Sequence, residues 1–191
     1  MRLRHPFEWL TTSGQIRAFI FFFILSSSVM VSLQVTGAHL ITPVSPSGIL
    51  SFEFAGEITS ARIMVNSWGQ TGRVYAGLNL GLDYLFLLVY ACAIGLGCVL
   101  VARSHSAKTT LLANLGILIA WAQLGAAALD GVENYALIQV VFGTEMAVWP
   151  IVARWCAYPK FVIVGAGLIY VMIGTISAVV LRIKGKLKAI E

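Results

Sequence analysis

Four apolar stretches constrain this chain more than any other feature, because each approaches the ~20 residues a helix needs to cross ~30 Å of hydrocarbon. They are Ala18 to Val35, Leu80 to Ala102 (interrupted by Asp83), Leu111 to Leu129, and Phe161 to Leu181. Transmembrane helices are therefore expected over about 18–36, 80–102, 110–130 and 161–182, within a single membrane domain of 191 residues. Composition agrees, with 59% hydrophobic and 11% charged residues. A soluble domain carries about 25% charged residues. So few charges cannot cover a water-facing surface. The expected fold class is all-α, a polytopic membrane four-helix bundle with a small extracytoplasmic cap. The first stretch has a basic n-region and a loose small-residue site at Thr36-Gly37-Ala38. Its apolar run exceeds the ~7–15 residues of a signal peptide, so it reads as an uncleaved helix.

Orientation follows from Lys and Arg near the span ends. Arg2, Arg4, Arg17, Arg103, Lys108, Arg182, Lys184, Lys186 and Lys188 fall on one side; Arg62, Arg73, Arg154 and Lys160 fall on the other. The richer side is expected to be cytoplasmic, with both termini there, in a cell inner membrane. The acids show the reverse bias. Glu53, Glu57, Asp83, Asp130, Glu133 and Glu145 lie at or beyond the outer boundary, and only Glu8 and Glu191 lie inside.

Extracytoplasmic segments are expected over about 37–79 and 135–159. In the first, Pro43, Pro46 and Gly48 signal a loop. Ile49 to Phe54 alternates in part, as a short strand or extended piece does. Gly56 breaks that run. Glu57 to Trp68 carries a helical apolar stripe, with Gly69 as its C-terminal cap. In the second segment, Trp149, Trp155 and Tyr158 accompany Arg154 and Lys160, a mixture that favours the headgroup layer. Thr144 to Ala157 is expected as a helix lying in that interface. Phe7, Trp9 and Leu10 beside Arg2 and Arg4 suggest a similar piece on the inner face.

Ionisable residues at membrane depth are costly and face protein or water. Counting ~20 residues outward from Arg103 reaches Asp83, and the same count from Thr110 reaches Asp130. Both acids should share one outer level on consecutive antiparallel helices. At ~100° per residue, Asn79, Asp83, Phe86 and Tyr90 fall on one stripe. Ala113, Gly116, Ala120, Gln123, Ala127, Asp130 and Asn134 form another, with small residues that permit close helix approach. Glu133 lies at its edge. The candidate ligand-binding residues are therefore Asp83, Asp130, Glu133, Asn134, Asn79 and Tyr90. Three readings stay open. In the first, the polar groups bond to each other, to water, to exposed amides, or to Arg62, Arg73 or Arg154. The group could be a pocket for a cation or amphiphile, with Asp83, Asp130 and Glu133 as candidate metal ligands. Paired acids could also separate acid and base roles in an enzyme.

No His-Glu-x-x-His, Walker loop or Gly-x-Ser-x-Gly is present. No cofactor and no nucleic-acid partner are expected. His5, His39 and His105 do not pair, and Cys92, Cys98 and Cys156 offer no disulfide framework. Gly77-x-x-x-Gly81 and Gly174-x-x-x-Ala178 could mark helix contacts within the chain, with a protein partner, or in a homo-oligomer. Beyond the lipid bilayer, those are the partners expected.

The order Phe52-Glu53-Phe54-Ala55-Gly56, Ala61 to Trp68, Leu82-Asp83-Tyr84-Leu85-Phe86 with Tyr90, then Leu129-Asp130-x-x-Glu133-Asn134 resembles a group of small bacterial four-helix inner-membrane proteins. The resemblance implies a bacterial inner-membrane setting and brings no activity. A looser likeness to sterol-isomerase-like and sigma-2-type four-helix proteins implies amphiphile binding beside buried acids, although here the acids lie on different helices. The function expected first is that of a non-enzymatic accessory or interaction subunit. The alternatives are binding or transport of a cation or small amphiphile through an outer acidic pocket, and a membrane-embedded enzyme acting on a lipid-like substrate.

Overall fold

The computed structural model describes residues 3–105 and 110–187. Arg2, Lys108, Lys188 and Glu191, used above for orientation, lie outside the described residues. Within them the chain is all-helical, with no strand: α1 (Thr12–Gly37), a 3-10 turn (Ala38–Leu40), α2 (Ile49–Glu53), α3 (Ile58–Ser67), α4 (Gly69–His105), α5 (Thr110–Val141) and α6 (Val148–Leu187). Four of these, α1, α4, α5 and α6, are long and apolar enough to cross a membrane. The chain thus has the make-up of a multi-pass membrane protein.

α4 is the central helix. In its most apolar 18-residue stretch 72% is buried, against 39% in α5 and 6% in each of α1 and α6. α1 packs on α4 and α4 on α5; α6 packs on α5 and more lightly on α4. α1 leaves Ile20, Phe21, Phe23, Ile24 and Val31 exposed, an apolar face that water would not tolerate on a monomer. The close crossings use small residues. Gly174 sits against Val101, and Gly116 against the Tyr170 hydroxyl, which donates to the Leu112 carbonyl at 2.9 Å.

The N-terminal segment folds back over the Arg103 end of the helices. Thr11 caps α1 by accepting from the Gly14 amide. The fully buried Gln15 donates to the carbonyls of Phe7 and Leu10, and Trp121 donates to that of Arg4. Phe7 is buried against Gly95, where there is no side chain to block it.

At the opposite end, α2 and α3 form a cap. Leu40, Phe52, Val65, Trp68, Leu80 and Leu137 share one core, and Trp68 donates to the Leu40 carbonyl at 2.9 Å. The helix expected over Glu57 to Trp68 forms, and Gly69 at φ +63° turns the chain into α4. Two expectations fail here. Ile49 to Glu53 is a helix, not a strand, because a helical turn brings the adjacent Phe52 and Glu53 to the same buried side, whereas a strand would send them to opposite faces. The helix expected over Thr144 to Ala157 is no separate interfacial element. α5 runs on to Val141, and α6 starts at Val148 and continues through Pro159. Gly143 at φ +91° makes the turn between them, its amide donating to the Val140 carbonyl.

Candidate functional site

Where α4, α5 and α6 meet the cap, the ammonium of Lys160 is buried, 6% exposed, among three carboxylates. It stands 2.8 Å from Glu133, 3.0 Å from Asp130 and 3.8 Å from Glu53. Lysine in a low-dielectric interior needs such partners, since an isolated buried charge costs several kcal/mol. The three acids come from two elements, α5 and α2, so the ion cluster pins the cap to the α5–α6 pair. Glu133 is fully buried, and its Oε1 has no hydrogen-bond partner among the described residues.

The acids extend toward α4. The Tyr90 hydroxyl donates to Asp130 Oδ2 at 3.0 Å, and Asn134 Nδ2 donates to Asp83 Oδ2 at 2.6 Å. These two bonds hold α4 and α5 antiparallel in the register that places Asp83 and Asp130 at one level. Asn79, a turn before Asp83, serves α1 instead. Its amide donates to the Leu33 carbonyl at 2.8 Å and to Thr36 Oγ1 at 2.7 Å.

Beside this group lies a cleft of about 810 Å³. Its back is α4, with Asp83, Phe86 and Tyr90; α1 and α6 form its walls. Asp130, Asn134, Asn79 and Lys160 line it as well, so five of the six expected site residues meet there. Glu133 does not line the cleft and sits behind Lys160. The exposed Phe23, Met30 and Leu168 edge the opening, so the cleft faces sideways, between helices.

Lys160 and Glu53 belong to the site without being among the residues expected there. The basic partners expected for the acids, Arg62, Arg73 or Arg154, are all engaged elsewhere. Arg62 pairs with Glu145, Arg73 donates to Asn66, and Arg154 donates to the carbonyls of Phe54 and Ala55. His39 stays outside the cluster, stacked on Tyr75. Glu53 is the buried carboxyl of the cap. Burial pushes its pKa up from the ordinary 4.5, and the Lys160 charge opposes that shift. Among the described residues, no group of three or more His, Cys, Asp and Glu is placed to hold a metal ion. Between Asp130 and Glu133 the cation is the lysine itself.

No family model, curated protein or solved structure matches the chain.

Proposed function

We propose that this is a membrane protein that binds an amphiphile from the bilayer through the cleft between α1 and α6. The observation that carries the reading is the cleft's division into two parts. Its tail region is apolar, built from residues such as Phe19, Ile94 and Val171. From Lys160 to Val171 that wall of α6 rises about 16 Å. At its other end stand Asp83, Asp130 and Lys160. Ligand pockets combine a mainly apolar lining with a few placed polar groups, and a sideways opening admits a ligand already dissolved in lipid.

In this reading the four long helices form a bundle in a bacterial inner membrane, both termini face the cytoplasm, and the cap faces outward. A reporter fused after Glu191 should then be active only in its cytoplasmic form; the opposite result would reverse the orientation.

The test of binding is native mass spectrometry of the protein extracted gently from its own membrane. A retained lipid-like mass is expected. Ser26, half-buried on the α1 wall, is the site at which to fill the cleft. Ser26→Trp should lose that mass while keeping the melting temperature. Bare protein in both cases would sink the proposal.

One observation favours an accessory subunit as a second reading. Gly77 and Gly81, an i,i+4 pair on α4, face open space, with Leu78 and Leu85 exposed beside them. A partner helix could seat on such a face. Co-purification of a stoichiometric second chain, lost in Gly77→Leu, would support it.

A further inference from the structure

Resting on the amphiphile-binding reading, we infer that the ligand carries an ammonium headgroup and that Asp83 is the carboxylate that receives it. The polar end of the cleft has an excess of acid. Asp83, Asp130 and Glu53 line it, and Lys160 is the only basic side chain among the described residues that does. That ammonium is already held by Glu133, Asp130 and Glu53. Among the described residues it makes no direct ion pair with Asp83, whose one hydrogen bond there comes from the neutral amide of Asn134.

Glu53, only 8% exposed, lines the cleft too, and its Oε2 faces Lys160 at 3.8 Å, beyond hydrogen-bond reach. That oxygen has an ion-pair neighbour but no hydrogen bond, which leaves it open to a donor at this end of the cleft. An ammonium group supplies donors and positive charge together.

Aromatic rings complete the setting. Phe86 and Tyr90 pack with centroids 5.2 Å apart on the α4 wall beside Asp83, and both line the cleft. An aromatic ring near a carboxylate can add a quadrupole attraction to the Coulomb attraction for a cation. An anionic headgroup would meet three acids, and the one cation lining the cleft among the described residues is already paired.

The experiment compares headgroups on a constant chain. Tetradecylamine, tetradecanol, tetradecyl sulfate and an ethanolamine lysophospholipid are titrated into the purified protein in dodecyl maltoside, and bound ligand is counted by native mass spectrometry. The amine is expected to bind at least about tenfold more tightly than the alcohol, and the sulfate more weakly than either. If the lysophospholipid matches the amine, the natural source is a lipid headgroup; if it falls to the level of the alcohol, the source is a free long-chain amine. Asp83→Asn should erase the preference of amine over alcohol. Phe86→Leu should weaken it in part, and covers the case in which the Asp83 variant fails to fold. The rank order in the unaltered protein needs no variant at all. Sulfate binding as tight as amine, or an amine preference untouched by both substitutions, overturns the inference. Failure of all four chains to bind sinks the amphiphile reading instead.

Discussion

Lys160 Nζ lies 2.8 Å from Oε2 of Glu133, and neither side chain reaches solvent to any useful extent: Glu133 is 0% and Lys160 6% exposed. Lys160 is held there by Asp130 and Glu53 as well, whereas Lys160 is the cation beside Glu133. Removing the cation alone, as in Lys160→Met, strands the acids and should cost about 3–5 kcal/mol. The double variant Lys160→Met with Glu133→Leu should recover much of that loss. For comparison, Arg62→Ala breaks an exposed pair with Glu145 and should stay within about 1 kcal/mol. Thermal melts of the four proteins in one detergent check the order. A double variant no better than the single would mean that Lys160 matters mainly to Asp130 and Glu53.

Asp83 and Glu57 make a second contrast. Asp83 lines the cleft and accepts from Asn134, whereas Glu57 is exposed at the start of α3. In Asp83→Asn an amide oxygen can still accept from Asn134, but without the charge. The loss in stability should be about 1 kcal/mol, with ligand retention falling much further. Glu57→Gln should change neither. Equal behaviour of the two variants in melting and in retained ligand would remove the case for a site.

The four long helices were legible because their apolar stretches are as long as a bilayer is thick, and Asp83, Tyr90, Asp130 and Asn134 because a 100° step fixes which side chains share a face. Lys160 was hidden by a misplaced boundary. Ala153, Ala157, Lys160, Val164 and Gly167 step by three or four along α6, and all but the half-buried Val164 are buried. That stripe marks Lys160 as inward-facing, but only if the helix is carried through Pro159. Ending one helix at Ala157 and starting another at Phe161 broke the phase and left Lys160 as a topology charge. Glu53 was lost in the same way, through a period of two where the chain takes 3.6. The cleft has no signature in the sequence, since it arises from the gap between α1 and α6, which are far apart in the chain.

Glu53 gives a pH prediction. Its carboxyl binds a proton more readily folded than unfolded, because burial raises its pKa above the ordinary 4.5 while Lys160 opposes the shift. Above 4.5 the folded state therefore holds more of this proton than the unfolded state. Stability from this group is then present at low pH and lost as pH rises through the folded value. Asp130, Glu133 and Lys160 face the same group and titrate with it, so the informative quantity is a difference between two proteins. The melting temperature of Glu53→Gln minus that of the unaltered chain should increase as pH is raised from 4.5. A difference that is flat, or that falls, would show that the Lys160 charge outweighs burial at Glu53.

Two glycines should respond in opposite ways to the same substitution. Gly56 has φ +68°, and a methyl group there would overlap the Arg154 guanidinium, which donates to the carbonyls of Phe54 and Ala55. Gly56→Ala combines a left-handed backbone penalty of about 1–2 kcal/mol with displacement of that arginine. The cap should loosen, and because α2 carries Glu53, ligand retention should fall along with the melting temperature. Gly77 lies inside α4, with nothing near the position of an added methyl. Gly77→Ala should be neutral or stabilising by up to about 1 kcal/mol in the isolated chain, from helix propensity alone. Melting each variant with and without the co-purified ligand separates the two effects. If Gly77→Ala destabilises the protein as it comes from the membrane but not the isolated chain, that face of α4 is covered by another helix in its native setting.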